Sequence, residues 1–131
     1  ERYGLSPKIP APYPLPGLVL ANQVAILGEK EGWVEAYTRT TYRHWFEAGQ
    51  PAGQEPNISA SLREIGEDPV RVLVEAESDW VTEKLAASTD EAMELGIFGS
   101  PSFLVSGELF WGDDRLEDTI AWVKAKGGGL T

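Results

Sequence analysis

Apolar residues recur at every third or fourth position through most of the chain, and this spacing predicts amphipathic α-helices. The first helix is predicted over residues 18–29, where Leu18 and Ala21 share one face. The second is predicted over residues 33–48, and Gly49 follows it as a typical C-terminal glycine. The first part of the chain is therefore predicted to be mainly helical.

Capping residues predict two shorter helices. Asn57 or Ser59 is expected to cap a helix that extends through residue 65. Asp68 followed by Pro69 is a typical helix start, because the aspartate accepts hydrogen bonds from free amides and proline needs no amide donor there. The expected apolar face of this second short helix comprises Val70, Leu73 and Val74.

Ser78 or Asp79 is expected to cap a longer helix that extends to about Leu95, ahead of a single pair of strands. Residues 102–105 form a short apolar run, Ser106-Gly107 is a two-residue turn signal, and residues 108–111 form the return strand. The chain is therefore predicted to contain many helices and one β-hairpin, and a site is expected where they meet.

The last helix is predicted to begin at Asp114. Asp114 and Glu117 have the spacing of a capping box, with aspartate in the place of serine or threonine. The positions of this helix that are expected to face inward are Leu116, Ile120 and Val123.

Proline content separates an N-terminal arm from the helices. We predict a proline-rich arm over residues 1–16, a helical domain over residues 17–95 and a C-terminal ββα part over residues 96–131. An isolated two-stranded hairpin is marginal in water, so these apolar strands need a larger sheet beside them. Together with the abrupt N-terminal start, this predicts either a chain cut from something longer or a second chain that completes the sheet.

Composition narrows the classes of function. With 131 residues, of which 42% are hydrophobic, the chain is long enough for one domain with a substantial core. A formal net charge of −10 disfavours nucleic acid and anionic membrane surfaces as partners. No transmembrane run or signal peptide is visible, so a cytoplasmic location is expected. The absence of cysteine excludes dithiol chemistry by these residues, and the single histidine excludes a multi-histidine metal cluster. An all-carboxylate site stays open but has no loop signature, so no metal site is predicted.

Two segments that flank the hairpin carry the candidate chemistry. Ser100-Pro101 has two interpretations: an ordinary trans proline before a strand, or a cis-proline that leaves the Ser100 backbone free for an extended ligand. Asp113-Asp114 has two as well: a helix cap, or a cap together with a carboxylate that receives an ammonium group. Arg115 is expected to pair with a nearby carboxylate rather than with a substrate.

His44 is a further titratable candidate. Its neighbours Trp45 and Phe46 are aromatic, which favours a partly buried packing role over that of a general base. No second titratable residue stands at a recognisable spacing from it, so a helical hydrolase that uses His44 has little support.

A known family shares the pattern around the hairpin. Residues 96–103 (GIFGSPSF) and 107–116 (GELFWGDDRL) resemble the C-terminal part of 2-hydroxychromene-2-carboxylate isomerases. The same region is similar in kappa-class glutathione transferases and in the wider DsbA-like group. The arm with Tyr13-Pro14 and residues 89–92 match in order as well, so the resemblance covers essentially all 131 residues.

The resemblance implies a partial α/β thioredoxin-like fold, in which a mostly helical insertion domain precedes a C-terminal β-hairpin and helix. Family members carry an N-terminal strand–helix–strand unit with a serine that contacts the glutathione sulfur. That unit has no counterpart in these residues, so an N-terminally truncated member is predicted and its catalytic residue is unknown.

The family's binding residues fall on both flanks of the hairpin. Its cis-proline corresponds to Pro101, and the preceding residue, whose backbone pairs with the peptide part of glutathione, corresponds to Ser100. The segment that holds the γ-glutamyl end corresponds to Gly112, Asp113, Asp114 and Arg115. The resemblance therefore implies glutathione as the cofactor, held by Ser100, Pro101, Asp113 and Asp114.

The function implied by the resemblance is glutathione-dependent isomerisation or transfer on aromatic, unsaturated carbonyl compounds, in which the thiol adds reversibly, allows bond rotation and leaves. A small aromatic substrate and a second copy of the chain are the expected partners. The alternative is a non-catalytic thioredoxin-fold module that dimerises or pairs through an exposed sheet edge. Whether this chain alone is an enzyme is left open.

Overall fold

A computed structural model describes residues 4–126 of the protein. Its elements in chain order are the helices α1 (Leu18–Glu31), α2 (Val34–Phe46), α3 (Asn57–Glu64), α4 (Pro69–Ala76) and α5 (Asp79–Glu94), the strands β1 (Ser102–Val105) and β2 (Glu108–Trp111), a 3-10 turn η1 (Asp113–Arg115) and the helix α6 (Leu116–Ala125). The predicted order of helices and one hairpin is confirmed. No helix within residues 4–126 is both long and apolar enough to cross a membrane.

Backbone contacts divide the chain into two units, with the division between Ala87 and Ser88 inside α5. We call the part through Ala87 the helical unit and the part from Ser88 the hairpin unit. The division falls inside α5 and not between two elements. The predicted segments 1–16, 17–95 and 96–131 therefore remain a prediction. Residues 1–3 and 127–131 of those segments lie outside the described part of the chain.

The helix boundaries follow the residues that predicted them. Gly32 ends α1 in a left-handed conformation with φ of 90°, and its amide donates to the Gly28 carbonyl at 2.8 Å. Asp68 caps α4, since its Oδ1 accepts a hydrogen bond from the Val70 amide at 3.1 Å. The predicted Asp68-Pro69 helix start is therefore confirmed.

The helical unit has a continuous apolar core. Helix α1 packs against α2 and α4, and α3 packs against α2 and α4. Leu18 is 51% exposed, because it lies in the first turn of α1, ahead of the buried stretch of that helix. The apolar face that Leu18 shares with Ala21 is therefore open at its N-terminal end. The buried core cluster comprises Val24, Leu27, Tyr37, Ile58, Leu62, Val72 and Ala76.

The buried face of α4 also differs from the prediction. Val72 and Ala76 are fully buried, one turn apart, whereas Val70 and Val74 are 74% and 73% exposed. Helical positions two residues apart point about 200° away from each other, so one pair must face outward when the other packs inward. Of the predicted face, only Leu73 packs against the core.

A buried polar network begins α3 in place of the predicted cap. Helix α3 has no side-chain cap, and Asn57 is fully buried. Its Nδ2 donates to the carbonyl of Gln50 at 2.8 Å and to that of Thr41 at 3.1 Å. Its Oδ1 accepts from the hydroxyls of Ser61 at 2.8 Å and Thr41 at 3.2 Å. The prediction of a cap was wrong because Asn57 is itself the first residue of α3, and the acceptors of its Nδ2 lie on α2 and in the loop after it.

The hairpin unit is built on the predicted strands. Strands β1 and β2 are antiparallel, with Ser102 opposite Trp111 and Val105 opposite Glu108. The turn residues Ser106 and Gly107 have φ values of 50° and 83°, the positive values that a type I′ turn needs at both central positions.

The start of the last helix differs from the prediction. The chain first forms η1, where the Arg115 amide donates to the Gly112 carbonyl at 3.2 Å, so α6 begins at Leu116 rather than at Asp114. The predicted capping box is therefore wrong, since Asp114 lies inside the 3-10 turn. Leu116 and Ile120 are 42% and 43% exposed, contrary to prediction, because α6 turns the side with Thr119 inward.

Candidate functional site

The hairpin brings its two flanking segments together. Its last pair is Ser102 opposite Trp111, and one step further out the Gly112 amide donates to the Pro101 carbonyl at 2.9 Å. A two-residue turn between strands of equal length fixes this register, so the residues that precede β1 must meet those that follow β2.

A surface depression of about 540 Å³ lies at this open end of the hairpin. Its lining residues are Ser100, Pro101, Trp111, Gly112, Asp113, Asp114 and Arg115. The structure thus brings all four predicted binding residues, Ser100, Pro101, Asp113 and Asp114, to one place. That they bind a ligand stays a prediction.

The Ser100-Pro101 segment presents unpaired backbone to this depression. Its peptide bond is cis, as the resemblance implies. Within residues 4–126, neither the amide nor the carbonyl of Ser100 takes part in a backbone hydrogen bond. These two groups are therefore available to the backbone of an extended ligand.

Two glycines allow side chains that line the depression to lie close to the backbone. Gly112 has φ of 106°, and a Cβ at this position would run into the Asp114 carboxylate. A Cβ at Gly99 would run into the indole of Trp111, which also packs against Phe98 at 5.2 Å between ring centroids. Only glycine at these positions lets Trp111 and Asp114 lie where they do.

The charged groups of the depression are arranged unevenly. The Asp113 and Asp114 carboxylates have no hydrogen-bond or ion-pair partner among the described residues. Arg115 is engaged elsewhere: its Nε lies 2.8 Å from Asp118 Oδ2, and its guanidinium lies 5.4 Å from the Phe110 ring centroid. The predicted pairing of Arg115 with a nearby carboxylate is confirmed. The depression therefore offers two free carboxylates, which suit a cationic group on a ligand.

Sequence reasoning from the local pattern missed Trp111 as a wall of this depression. Strand alternation puts Trp111 on the opposite face from the buried Phe110, and Trp111 is 54% exposed. A large aromatic residue on the outward face of a predicted strand, directly before a glycine, was the available signal.

His44 lies in a surface ion-pair network. Its Nε2 is 3.1 Å from Glu64 Oε2, and Arg43 binds the other oxygen of the same carboxylate. The hydrogen bond from Arg43, followed by that from His44, lowers the pKa of Glu64 below its usual value. The Glu64 side chain is 45% exposed, so this arrangement resembles a surface salt bridge more than an acid–base pair.

Comparison with known protein families shows a match over most of the chain. The model of the DsbA-like thioredoxin domain matches residues 1–121, which include the arm, the first five helices, the hairpin and the start of α6. A search of curated proteins finds no match.

Proposed function

Since the chain belongs to the DsbA-like thioredoxin domain family, we propose that it carries the cofactor-binding part of a glutathione-dependent isomerase or transferase. Membership confirms the predicted thioredoxin-like fold. The finer assignment, to the 2-hydroxychromene-2-carboxylate isomerase and kappa-class transferase group, is part of the proposal.

One observation carries the proposal: the open end of the hairpin combines unpaired backbone with unpaired carboxylates. Ser100 offers an amide and a carbonyl, and Asp113 and Asp114 stand across the depression from it. A peptide that carries an ammonium group at one end would use both features, because extended backbone pairs with backbone and ammonium pairs with carboxylate.

The groups in the depression fit glutathione. Ser100 would pair with its peptide part, and Asp114 would accept hydrogen bonds from the γ-glutamyl ammonium group. The γ-glutamyl carboxylate would lie at the free amides of η1, which begin the η1–α6 helical segment. When bound, glutathione supplies a thiol nucleophile that the cysteine-free chain lacks.

An aromatic, unsaturated carbonyl substrate is the second part of the proposal. Trp111 and Phe98 are 54% and 73% exposed, and their rings pack together beside the depression. Exposed rings of this kind favour contact with a planar aromatic molecule through stacking or edge-to-face packing.

Calorimetric titration tests the cofactor assignment. Glutathione is titrated into the chain and into Asp114→Asn, with Asp90→Asn on α5 as the charge-matched control. Loss of a charge-assisted hydrogen bond is expected to weaken binding by about tenfold or more in Asp114→Asn. N-acetyl-Cys-Gly, which lacks the γ-glutamyl group and carries no ammonium group, is expected to bind both forms equally. Equal glutathione binding by Asp114→Asn and the parent chain would remove Asp114 from the site, and absence of glutathione binding would end the proposal.

The two-stranded sheet of the described residues favours the alternative function, a module that pairs through its sheet edge, because each of its strands has an unpaired edge. Leu104 and Trp111 are 40% and 54% exposed on a two-stranded sheet. Under this proposal a second copy covers them and forms a homodimer. Light scattering over a range of concentrations tests it: a Leu104→Lys variant should dissociate, whereas a strictly monomeric parent chain would contradict it.

A further inference from the structure

A second cavity lies wholly within the helical unit. It has a volume of about 220 Å³ and opens between the proline-rich arm and the helices α1 and α2. The lining residues that matter for its chemistry are Tyr13 and Leu15 of the arm, Asn22 and Ala25 of α1, and Tyr42 and Trp45 of α2. We call it the arm pocket.

Specific contacts hold the arm against α2. Trp45 Nε1 donates to the Pro12 carbonyl at 2.9 Å, and the Lys8 amide donates to the Phe46 carbonyl at 2.6 Å. Tyr42 packs edge-on against Trp45, with 5.9 Å between ring centroids. The pocket is therefore formed by anchored backbone and packed rings, and does not depend on a ligand to bring its walls together.

The chemistry of the walls points to an uncharged aromatic ligand. The described residues that line the arm pocket include no charged side chain. Four of them are aromatic: Tyr13, Tyr42, Trp45 and the buried Tyr37. Tyr13 and Tyr42 remain 83% and 50% exposed, so their ring faces are open to a ligand. A charged ligand would lose hydration in this cavity without gaining a counter-charge.

The volume and the free polar groups of the arm pocket narrow the class of ligand further. A dry cavity of about 150 Å³ accommodates benzene, so a cavity of the present size suits one substituted ring rather than a fused system. Among residues 4–126, the Asn22 carboxamide and the Tyr42 hydroxyl have no hydrogen-bond partner. They are free to pair with a single polar substituent on the ring.

We propose that the arm pocket binds a neutral single-ring phenol. The inference rests on the walls of the helical unit alone and stands apart from the glutathione site of the hairpin unit. It assigns the proline-rich arm a role as the wall of a ligand site.

NMR titration of the 131-residue chain with p-cresol, in the absence of glutathione, tests the proposal. At pH 7 p-cresol is neutral, because phenols ionise near pH 10. We expect saturable shifts of the Trp45 indole N–H signal, assigned through Trp45→Phe, at lower p-cresol concentrations than any shift of the Trp111 indole signal. Benzoate, which has a similar size and a negative charge, should bind at least about tenfold more weakly.

Substitution of a small wall residue separates the arm pocket from general apolar binding. Ala25→Leu fills the cavity and should weaken p-cresol binding by about tenfold or more, while Ala87→Leu, an exposed position on α5, should leave it unchanged. If Ala25→Leu proves unfolded, Asn22→Ala serves instead, and it should reduce the preference for p-cresol over toluene.

Three results would overturn the proposal: no saturable shift up to the solubility limit of p-cresol, shifts of the Trp111 signal without shifts of the Trp45 signal, or equal binding by Ala25→Leu in folded form. None of them bears on glutathione binding. Conversely, failure of the chain to bind glutathione leaves the Trp45 readout intact, so the two proposals fail separately.

Discussion

The helical unit and the hairpin unit are stabilised in different ways. In the helical unit Leu27, Leu62 and Val72 have no exposed surface, and α1 to α4 share one core. In the described part of the hairpin unit, Phe110 is the one buried hydrophobic residue, and Phe98 is 73% exposed. The first unit is held by packing between distant residues, and the second mainly by turn geometry and by strand pairing between residues that are close in sequence.

The two proposed sites depend on different structural features, in line with the units that contain them. The glutathione site depends on main-chain features, such as the register of the hairpin and the positive φ of Gly112. The arm pocket depends on rings and a tryptophan hydrogen bond that rest on the helical core. Substitutions in the core should therefore affect the arm pocket first, and substitutions in the turns should affect the hairpin site first.

The largest expected effect comes from the core of the helical unit. Leu62→Ala removes a fully buried side chain and should lower the free energy of unfolding by about 3 kcal/mol. The matched substitution Leu104→Ala, at a position that is 40% exposed, should cost about 1 kcal/mol or less. Urea unfolding measures both, and equal losses would mean that the two units do not differ in this way.

High pH should act on the same core through Tyr37. Burial raises the pKa of Tyr37 to about 12 from 10.0, so the folded state holds this proton more tightly than the unfolded state. Its contribution to stability is complete below pH 10 and is lost as the pH rises to about 12, a loss of about 2–3 kcal/mol. Comparison of urea midpoints from pH 9 to pH 12 with those of Tyr37→Phe isolates this loss, since other groups titrate equally in both. Parallel curves for the two proteins would contradict it.

The buried polar network should be the next most sensitive feature. Asn57→Ala leaves the carbonyls of Thr41 and Gln50 without their donor, and should cost about 2 kcal/mol. The control is Asn22→Ala on the exposed side of α1, where a change within about 0.5 kcal/mol is expected. Thermal unfolding of the two variants measures the difference, and similar melting temperatures would show that the network adds little.

The sequence predicts local structure well and the direction of side chains less well. Helix starts and turns depend on neighbouring residues, which is why Asp68-Pro69 and Ser106-Gly107 are found where they were predicted. The buried face of α4 was mispredicted because almost every position of this eight-residue helix is apolar, so periodicity cannot choose a face. The role of Asn57 was mispredicted because its partner Thr41 lies 16 residues away.

The candidate site was more predictable than the core around it. Once the hairpin turn is identified, antiparallel pairing alone places Ser100-Pro101 next to Asp113-Asp114. The position of Asp114 within the depression was less predictable, because η1 shifts the start of α6 to Leu116. The arm pocket lay beyond sequence reasoning, since it depends on a hydrogen bond between residues 33 positions apart.

The smallest expected effect lies in the hairpin turn and tests whether its structure has a local origin. Gly107 has φ of 83° and nothing within 4 Å of an added Cβ, so Gly107→Ala changes only the backbone preference. The left-handed conformation costs an L-residue about 1 kcal/mol, and hydrogen exchange of the β1 and β2 amides should speed up about fivefold while that of α3 stays unchanged. D-alanine at position 107, introduced by chemical ligation, has the same methyl group without this cost and should restore slow exchange. If D-alanine and L-alanine accelerate exchange equally, the turn does not hold the hairpin, and packing of the strands against α6 must do so.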